Sequence, residues 1–280
     1  MNARDPALRR RFRARLLRWY GAHGRLLPWR RTRDPYRILV SEILLQQTPV
    51  ARVLPAYARI LRRFPTLRAL ARASLGDLLR EWGTLGYPRR ARDLHRAARL
   101  AGGGLPTTVE ALDALPGIGA YTAGAVACFS ADAPVAFADT NVRRVLGRAI
   151  LGRTATEREA VEIDGHLVPR RDAVPWHHAL MDLGATICTA RSPRCDACPL
   201  FPICLAKGRD EAPVRRRQAA FATSDRRVRG AIMKMLRERG RIRTKTLTAR
   251  IRDRRSPGLL AALAAEGLVE LANGVVSLPR

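Results

Sequence analysis

Four of the five cysteines fall in one short stretch, at Cys188, Cys195, Cys198 and Cys204, with the spacing C-x6-C-x2-C-x5-C. Four thiolates this close, in a chain with no sign of secretion, read as a metal site and not as a disulfide framework. Structural zinc usually pairs two short knuckles across a longer gap. One short knuckle with uneven flanks better suits the wider faces of a [4Fe–4S] cube; zinc is the alternative. Cys128 lies in the apolar run "AGAVACFS" and reads as a small buried hydrophobe. Elsewhere, "LPGIGAYTAG" (115–124) places Gly117 and Gly119 at the mouth of a helix. Glycines there let the backbone approach another surface, and the N–H groups opening the helix point toward an anion. A bare Gly-x-Gly is an ordinary turn. Two carboxylates flank it in sequence: Glu42 in "VSEILL" and Asp139 in "AFADTNVRRVLGR". Taken singly, Glu42 reads as a helix-surface carboxylate and Asp139 as the N-cap of "NVRRVLGR".

The charge says what such groups act on. There are 52 basic residues against 24 acidic ones, a formal net charge of +28. Lysine stands only at 207, 234 and 245, so the remainder are arginines. A codon bias explains arginine over lysine but not the excess itself, which points to a polyanion, nucleic acid, as partner. The hydrophobic share of 47% marks a globular chain. No run of eighteen apolar residues offers a membrane span. The N-terminal segment has no apolar core like that of a signal peptide, and it reads as an amphipathic helix.

The elements that must position these groups are mostly helical. Apolar periodicity near 3.6 predicts helices over 36–47, 50–63, 67–72, 76–82, 89–101, 108–114, 120–129, 141–151, 156–168 and 176–185. Short Pro/Gly breaks separate them. The segment 207–225 is polar and unpatterned and reads as a linker. Beyond it, "DRRVRGAIMKMLRERG", "TKTLTARIRD" and "SPGLLAALAAEG" predict three helices, and "LVELANGVVSL" predicts a hairpin about Asn-Gly. Three helices followed by a hairpin is the winged-helix pattern. Residues 205–280 carry 19 basic and 7 acidic residues.

The Gly-x-Gly hairpin, the aspartate about twenty residues on and the four cysteines, in this order, resemble the helix-hairpin-helix DNA glycosylases that carry an iron–sulfur cluster. "LPWRRTRDPYRILVSEILLQQTPVARVLPAY" and "EWGTLGYPRRARDLHRAA" narrow the resemblance to the MutY-type adenine glycosylases, over residues 10–206. That resemblance implies a mainly α, two-lobed fold. A six-helix barrel domain with the hairpin spans 26–136, a [4Fe–4S] cluster domain takes 1–25 and 137–208, a linker 209–222, and a small winged-helix-like α/β module 223–280. It implies excision of adenine mispaired with 8-oxoguanine or guanine in double-stranded DNA, by a monomer in the bacterial cytoplasm beside the nucleoid, with no membrane contact. Cys188, Cys195, Cys198 and Cys204 match the cluster ligands, and Arg191 and Arg194 in the loop between the first two suit phosphates.

By the same resemblance Glu42 is the general acid and then the activator of water; a carboxyl kept from water holds its proton better. Asp139 faces the sugar cation and Asn141 supports it. Leu85 fills the stack when the base swings out. Gln47 and Thr48 meet the opposing base, and Trp29 and Arg30 lie by the adenine pocket. Gly117 and Gly119 approach the backbone of the DNA. Relatives that also cut the strand carry a lysine at position 121 to form a Schiff base. Tyr121 has no such amine, so base removal by water is expected, with the tyrosine hydroxyl orienting Glu42. Members of the family continue into a Nudix-like domain, whereas the sequence here ends on the expected winged helix, which implies a short form. Thr140 stands where many relatives have glycine after the aspartate. Two alternatives remain: a thymine or uracil mismatch glycosylase of the same superfamily, and a non-catalytic iron–sulfur DNA sensor.

Overall fold

The computed structural model describes residues 2–208 and 220–280; residues 209–219 of the expected linker lie outside the described residues. By backbone packing the chain forms two compact units. One comprises 1–38, 107–113 and 118–215, the other 39–106, 114–117 and 216–280.

In the first unit the core gathers α1 (Pro6–His23), α9 (Thr140–Leu151), α10 (Glu157–Leu167) and α11 (Ala173–Thr186) around Phe12, Leu16, Leu146, Trp176, Leu180 and Leu183. Side chains start these helices where the first N–H groups lack partners. Asp5 Oδ1 accepts from Ala7 N at 2.9 Å, with Pro6 opening α1. Thr156 and Glu159 form a reciprocal capping box at α10. The unit also holds α7 (Val109–Asp113) and α8 (Ala120–Ala131), the two helices on either side of the Gly-x-Gly turn. Cys128 on α8 is fully buried, as an apolar helix face requires.

Helix α2 (Pro35–Leu45) runs from the first unit into the second, which continues with α3 (Val50–Arg63), α4 (Leu67–Arg72), α5 (Leu75–Trp82) and α6 (Pro88–Leu100). Thr66 caps α4 and Ser74 caps α5. Between α5 and α6 the chain turns at Gly83, Gly86 and Tyr87, all at positive φ, and Trp82 Nε1 donates to Gly86 O at 2.9 Å. Pro88 then opens α6, where its missing N–H costs nothing.

The same unit contains α12 (Asp225–Arg239), β1 (Arg241–Arg243), α13 (Thr244–Ile251), α14 (Ser256–Ala265), β2 (Glu270–Ala272) and β3 (Val275–Ser277). The expected hairpin is present, with Asn273 and Gly274 at φ 50° and 70°, the left-handed pair that a tight two-residue turn needs. The sheet has a third strand that periodicity did not predict. β1 pairs with β3 on the side away from β2, in the order β1-β3-β2, with Ile242 and Leu271 both opposite Val276. Arg-Ile-Arg is too short to show a period by itself.

Candidate active site and metal centre

Asp139 ends an extended segment and caps α9. Its Oδ1 accepts from Asn141 N at 2.8 Å and Val142 N at 2.7 Å, and its Oδ2 accepts from Asn141 Nδ2 at 2.8 Å. The cap reading is therefore correct as structure, and the cap is also what fixes the carboxylate. Asn141 is fixed in turn: its Oδ1 accepts from Arg144 Nη2 at 2.7 Å. A Cβ on Gly184 of α11 would stand 2.6 Å from Asn141 Cβ, so only glycine allows this approach. Arg144 also donates to Gly184 O at 2.7 Å and, through Nε, to Cys188 O at 2.6 Å. Burial lowers the Arg144 guanidinium below its ordinary value, partly offset by Cys188 and Asp139.

Cys188 opens the metal loop. Its N–H donates to Leu183 O at 2.7 Å, a bond closing the end of α11. Cys195 and Cys198 bracket one 3-10 turn and Cys204 follows another. All four thiols line one small cavity. No three His, Cys, Asp or Glu groups among the described residues could share a single metal ion. Four thiols round a common cavity suit an iron–sulfur cluster held by thiolates. Burial pushes the Cys198 thiol up to about 12, so binding a metal there displaces a proton. Arg148 of α9, only 4% exposed, lines the cavity. It donates to Thr189 O at 2.7 Å and Ala190 O at 3.2 Å, and its Nη1 lies 3.6 Å from Cys188 Sγ. A buried cation offsets the charge of thiolates. Arg191 and Arg194 are both exposed on the loop, and Arg194 Nη2 also donates to Thr186 O at 2.8 Å.

Tyr121, in the first turn of α8, meets Phe137 edge-on with ring centroids 5.6 Å apart. Phe137 stacks on His177 at 4.0 Å. His177 Nε2 lies 2.8 Å from Asp164 Oδ2, and Asp164 Oδ1 accepts from Trp176 Nε1 at 2.8 Å, all three residues fully buried. This packed stack holds the strand-like segment that delivers Asp139. Gly119 starts α8 with extended backbone.

Trp29 and Arg30 lie in a 3-10 turn, Trp29 buried and Arg30 half-buried. Arg30 is committed to Asp182 of α11 in a two-pronged pair at 2.7 and 2.8 Å, and Arg25 adds bonds at 2.6 and 2.9 Å. Burial pushes the Asp182 carboxyl up, and the two arginines more than reverse it, leaving it below the usual carboxylate value.

In the second unit Glu42 is 5% exposed on α2, among Leu39, Val40, Ile43 and Leu44, all buried. The surface reading of this carboxylate is thereby corrected: every residue from Ile38 to Leu44 is buried, and of α2 only Arg37 is exposed. The α2 end is held by Arg90 of α6, which donates to Ile43 O at 2.9 Å, Leu44 O at 3.1 Å, Gln46 O and Thr48 Oγ1 at 3.1 Å. Its guanidinium lies over the rings of Trp82 and Tyr87, and burial lowers it to about 10. Thr48 is thus buried and bonded, whereas Gln47 is exposed at φ 55°. Leu85 is 7% exposed. Gly117 takes φ 75°, and a Cβ there would stand 2.7 Å from Asp93 Cβ, so the turn tolerates no side chain.

Sequence reasoning missed Arg90, Arg144, Arg148 and Asp182. The cue for Asp182 was a carboxylate in an otherwise apolar α11; nothing local distinguishes the arginines.

Residues 40–169 match the HhH-GPD superfamily base excision DNA repair protein, and residues 188–204 match the iron–sulfur binding domain of endonuclease III. An adenine DNA glycosylase of Mycolicibacterium smegmatis is 47% identical over 232 residues, covering 80% of this chain and 79% of that protein. An adenine DNA glycosylase of Homo sapiens is 39% identical over 226 residues, covering 74% of this chain and 41% of that protein. Among solved structures, a thermostable thymine-DNA glycosylase aligns with a TM-score of 0.66 and 29% identity, over 71% of this chain and 96% of that one. Endonuclease III in a non-covalent DNA complex aligns with a TM-score of 0.61 at 24% identity, over the same shares, and supports the fold alone.

Proposed function

The chain belongs to the adenine DNA glycosylases of the HhH-GPD base excision repair superfamily, and on that premise we propose that it removes adenine mispaired with 8-oxoguanine or guanine in duplex DNA, hydrolysing the N-glycosidic bond and leaving an abasic site. The observation that carries the reading is Asp139. Three hydrogen bonds aim its carboxylate, and Asn141, which supplies two of them, is itself fixed by Arg144. Charge placed before the reaction begins is what a sugar cation requires.

In this reading the adenine is swung out of the stack. Glu42, kept from water on α2, donates its proton to a ring nitrogen of the base. The bond from C1′ to adenine breaks, its electron pair leaving with the base. Asp139 faces the cation left on the sugar. Water adds to C1′, and Glu42 takes up the proton that water releases. Tyr121 offers no amine for a Schiff base, so the strand stays uncut. Trp29 lies by the adenine, and Arg30 and Arg25 with Asp182 shape that pocket. Gln47 and Thr48 serve the opposing base, and Leu85 swings out to fill the gap. Gly117, Gly119, Arg191 and Arg194 serve the phosphates. Cys188, Cys195, Cys198 and Cys204 would hold a [4Fe–4S] cluster, which would cross-link and order the 188–204 loop. The chain works as a monomer in the bacterial cytoplasm beside the nucleoid, and residues 223–280 form a winged-helix-like module.

The test is a panel of duplexes carrying A:8-oxoG, A:G, T:G and U:G, each treated with alkali or with borohydride after incubation. The expected result is alkali-dependent cleavage on the two adenine duplexes and no covalent adduct. Product on T:G or U:G alone would favour the thymine/uracil reading, which the 29% identity to a thymine-DNA glycosylase supports.

A further inference from the structure

Helix α12 and the turn between α5 and α6 face each other across an open groove. One wall presents Gln47, Arg52, Leu85 and Tyr87; the other presents Phe221, Arg229, Lys234 and Arg237. The walls are tied together at Glu266. Glu266, just past α14, accepts from Arg89 at 2.7 Å and Arg229 at 2.5 Å, and its carbonyl accepts from Arg92 at 2.6 Å. Away from the groove, Gly76 N of α5 donates to Pro279 O at 2.8 Å, and a Cβ on Gly76 would collide with that oxygen at 2.5 Å. Glu266 is the one acidic group among the described residues lining the groove, and two arginines already occupy it.

A second feature points to an occupant. Gly230 sits mid-helix in α12, on the groove wall, with nothing within 4 Å of where its Cβ would be. Glycine there costs helix stability relative to alanine, and packing within the protein does not demand it. A backbone that something outside must approach closely does demand it. Phe221, 63% exposed on the same wall, adds an aromatic face beside the cations, the combination that suits a nucleic-acid strand.

We propose that this groove receives the sugar–phosphate backbone of the DNA strand opposite the excised adenine, gripped by Lys234 and Arg237 of α12. The choice of strand rests on the reading of Gln47 and Leu85 given above. In a winged helix the helix before the hairpin enters the DNA groove. Here that helix, α14, bears no charged side chain, and its end is bound to Arg89 and Arg92. The module instead uses its first helix and reads phosphates, not bases.

The experiment is phosphate-ethylation interference on each strand of an A:8-oxoG duplex, with affinity measured over a range of salt. It compares the full-length iron-loaded protein with Gly230→Glu and, separately, Lys234→Ala. Gly230→Glu has room for its side chain and replaces a helix glycine, so its melting temperature should not fall; Lys234 is exposed, so its truncation is a second, milder probe. The expected result is loss of interference at phosphates of the opposing strand. The log–log salt slope should fall by about one unit for each phosphate no longer neutralised, equally on matched duplex. An unchanged pattern and slope, or changes confined to the adenine strand, would overturn the proposal. If the parent protein excises thymine and not adenine while Gly230→Glu still abolishes interference on the opposing strand, the groove stands and the adenine reading falls.

Discussion

Asp139 and Cys188 are joined by three hydrogen bonds that run through Asn141 and Arg144. The first residue of the cysteine loop and the carboxylate proposed to face the sugar are thus parts of one fixed unit. Arg144→Gln keeps a donor and loses the fork. We expect both ends to loosen, with single-turnover base release falling by at least about tenfold, the scale of one charged hydrogen bond of about 1.5–3 kcal/mol. Iron content, read by absorbance and metal analysis, should drop as well. Full iron with unchanged rate would break the link.

Asp139 has two separable duties. Asp139→Asn retains an oxygen that can accept from Asn141 N and Val142 N, so denaturant stability should change little, while base release should fall by at least about a hundredfold for want of the charge. Asp139→Ala removes the cap too, and should cost about 1 kcal/mol of stability. Equal stability for the two variants would mean that the cap does not matter to the fold.

Arg90 holds Gln46 and Thr48 from behind, through backbone oxygens and Thr48 Oγ1. Arg90→Lys keeps the charge but cannot reach three carbonyls at once. Discrimination between 8-oxoguanine and cytosine opposite adenine should weaken by about tenfold, one charged hydrogen bond's worth, with excision at saturating enzyme less affected. Competition binding measures it, and an unchanged ratio would leave Arg90 a purely structural residue.

Much of the fold was legible because its helices are amphipathic and punctuated. The periodicity over 50–63 and 67–72 gave α3 and α4 to the residue, and Asn273-Gly274 marked the hairpin. β1 was not legible, since its partner β3 lies more than thirty residues on and three residues carry no period. The residues that resemblance marked are local in sequence. Those it missed act over distance: Arg144 reaches Cys188, and Asp182 receives bonds from Arg25 and Arg30, more than 150 residues earlier. In a chain with 52 basic residues, an arginine's type says nothing of its role; only its partner does.

Glu266 carries a pH dependence. Hydrogen bonds from Arg89, then Arg229, hold its carboxyl down to about 2 against an ordinary 4.5. A depressed carboxyl stabilises the folded chain fully above the ordinary value and loses that contribution as pH falls toward the folded one. The stability gap between parent and Glu266→Gln should therefore be constant from pH 7 to about 5 and close between 4.5 and about 2. Thermal melts across that range measure it, and a gap that widens on acidification would have the wrong sign.

In the proposed reaction Glu42 supplies the proton with which adenine leaves. Single-turnover release of free adenine from an A:8-oxoG duplex, by the parent protein and by Glu42→Gln side by side, tests it most directly. The expected rate is lower by at least about a hundredfold in the variant, the usual scale of general acid catalysis, with mismatch affinity and iron content retained. Equal rates for the two proteins would contradict it.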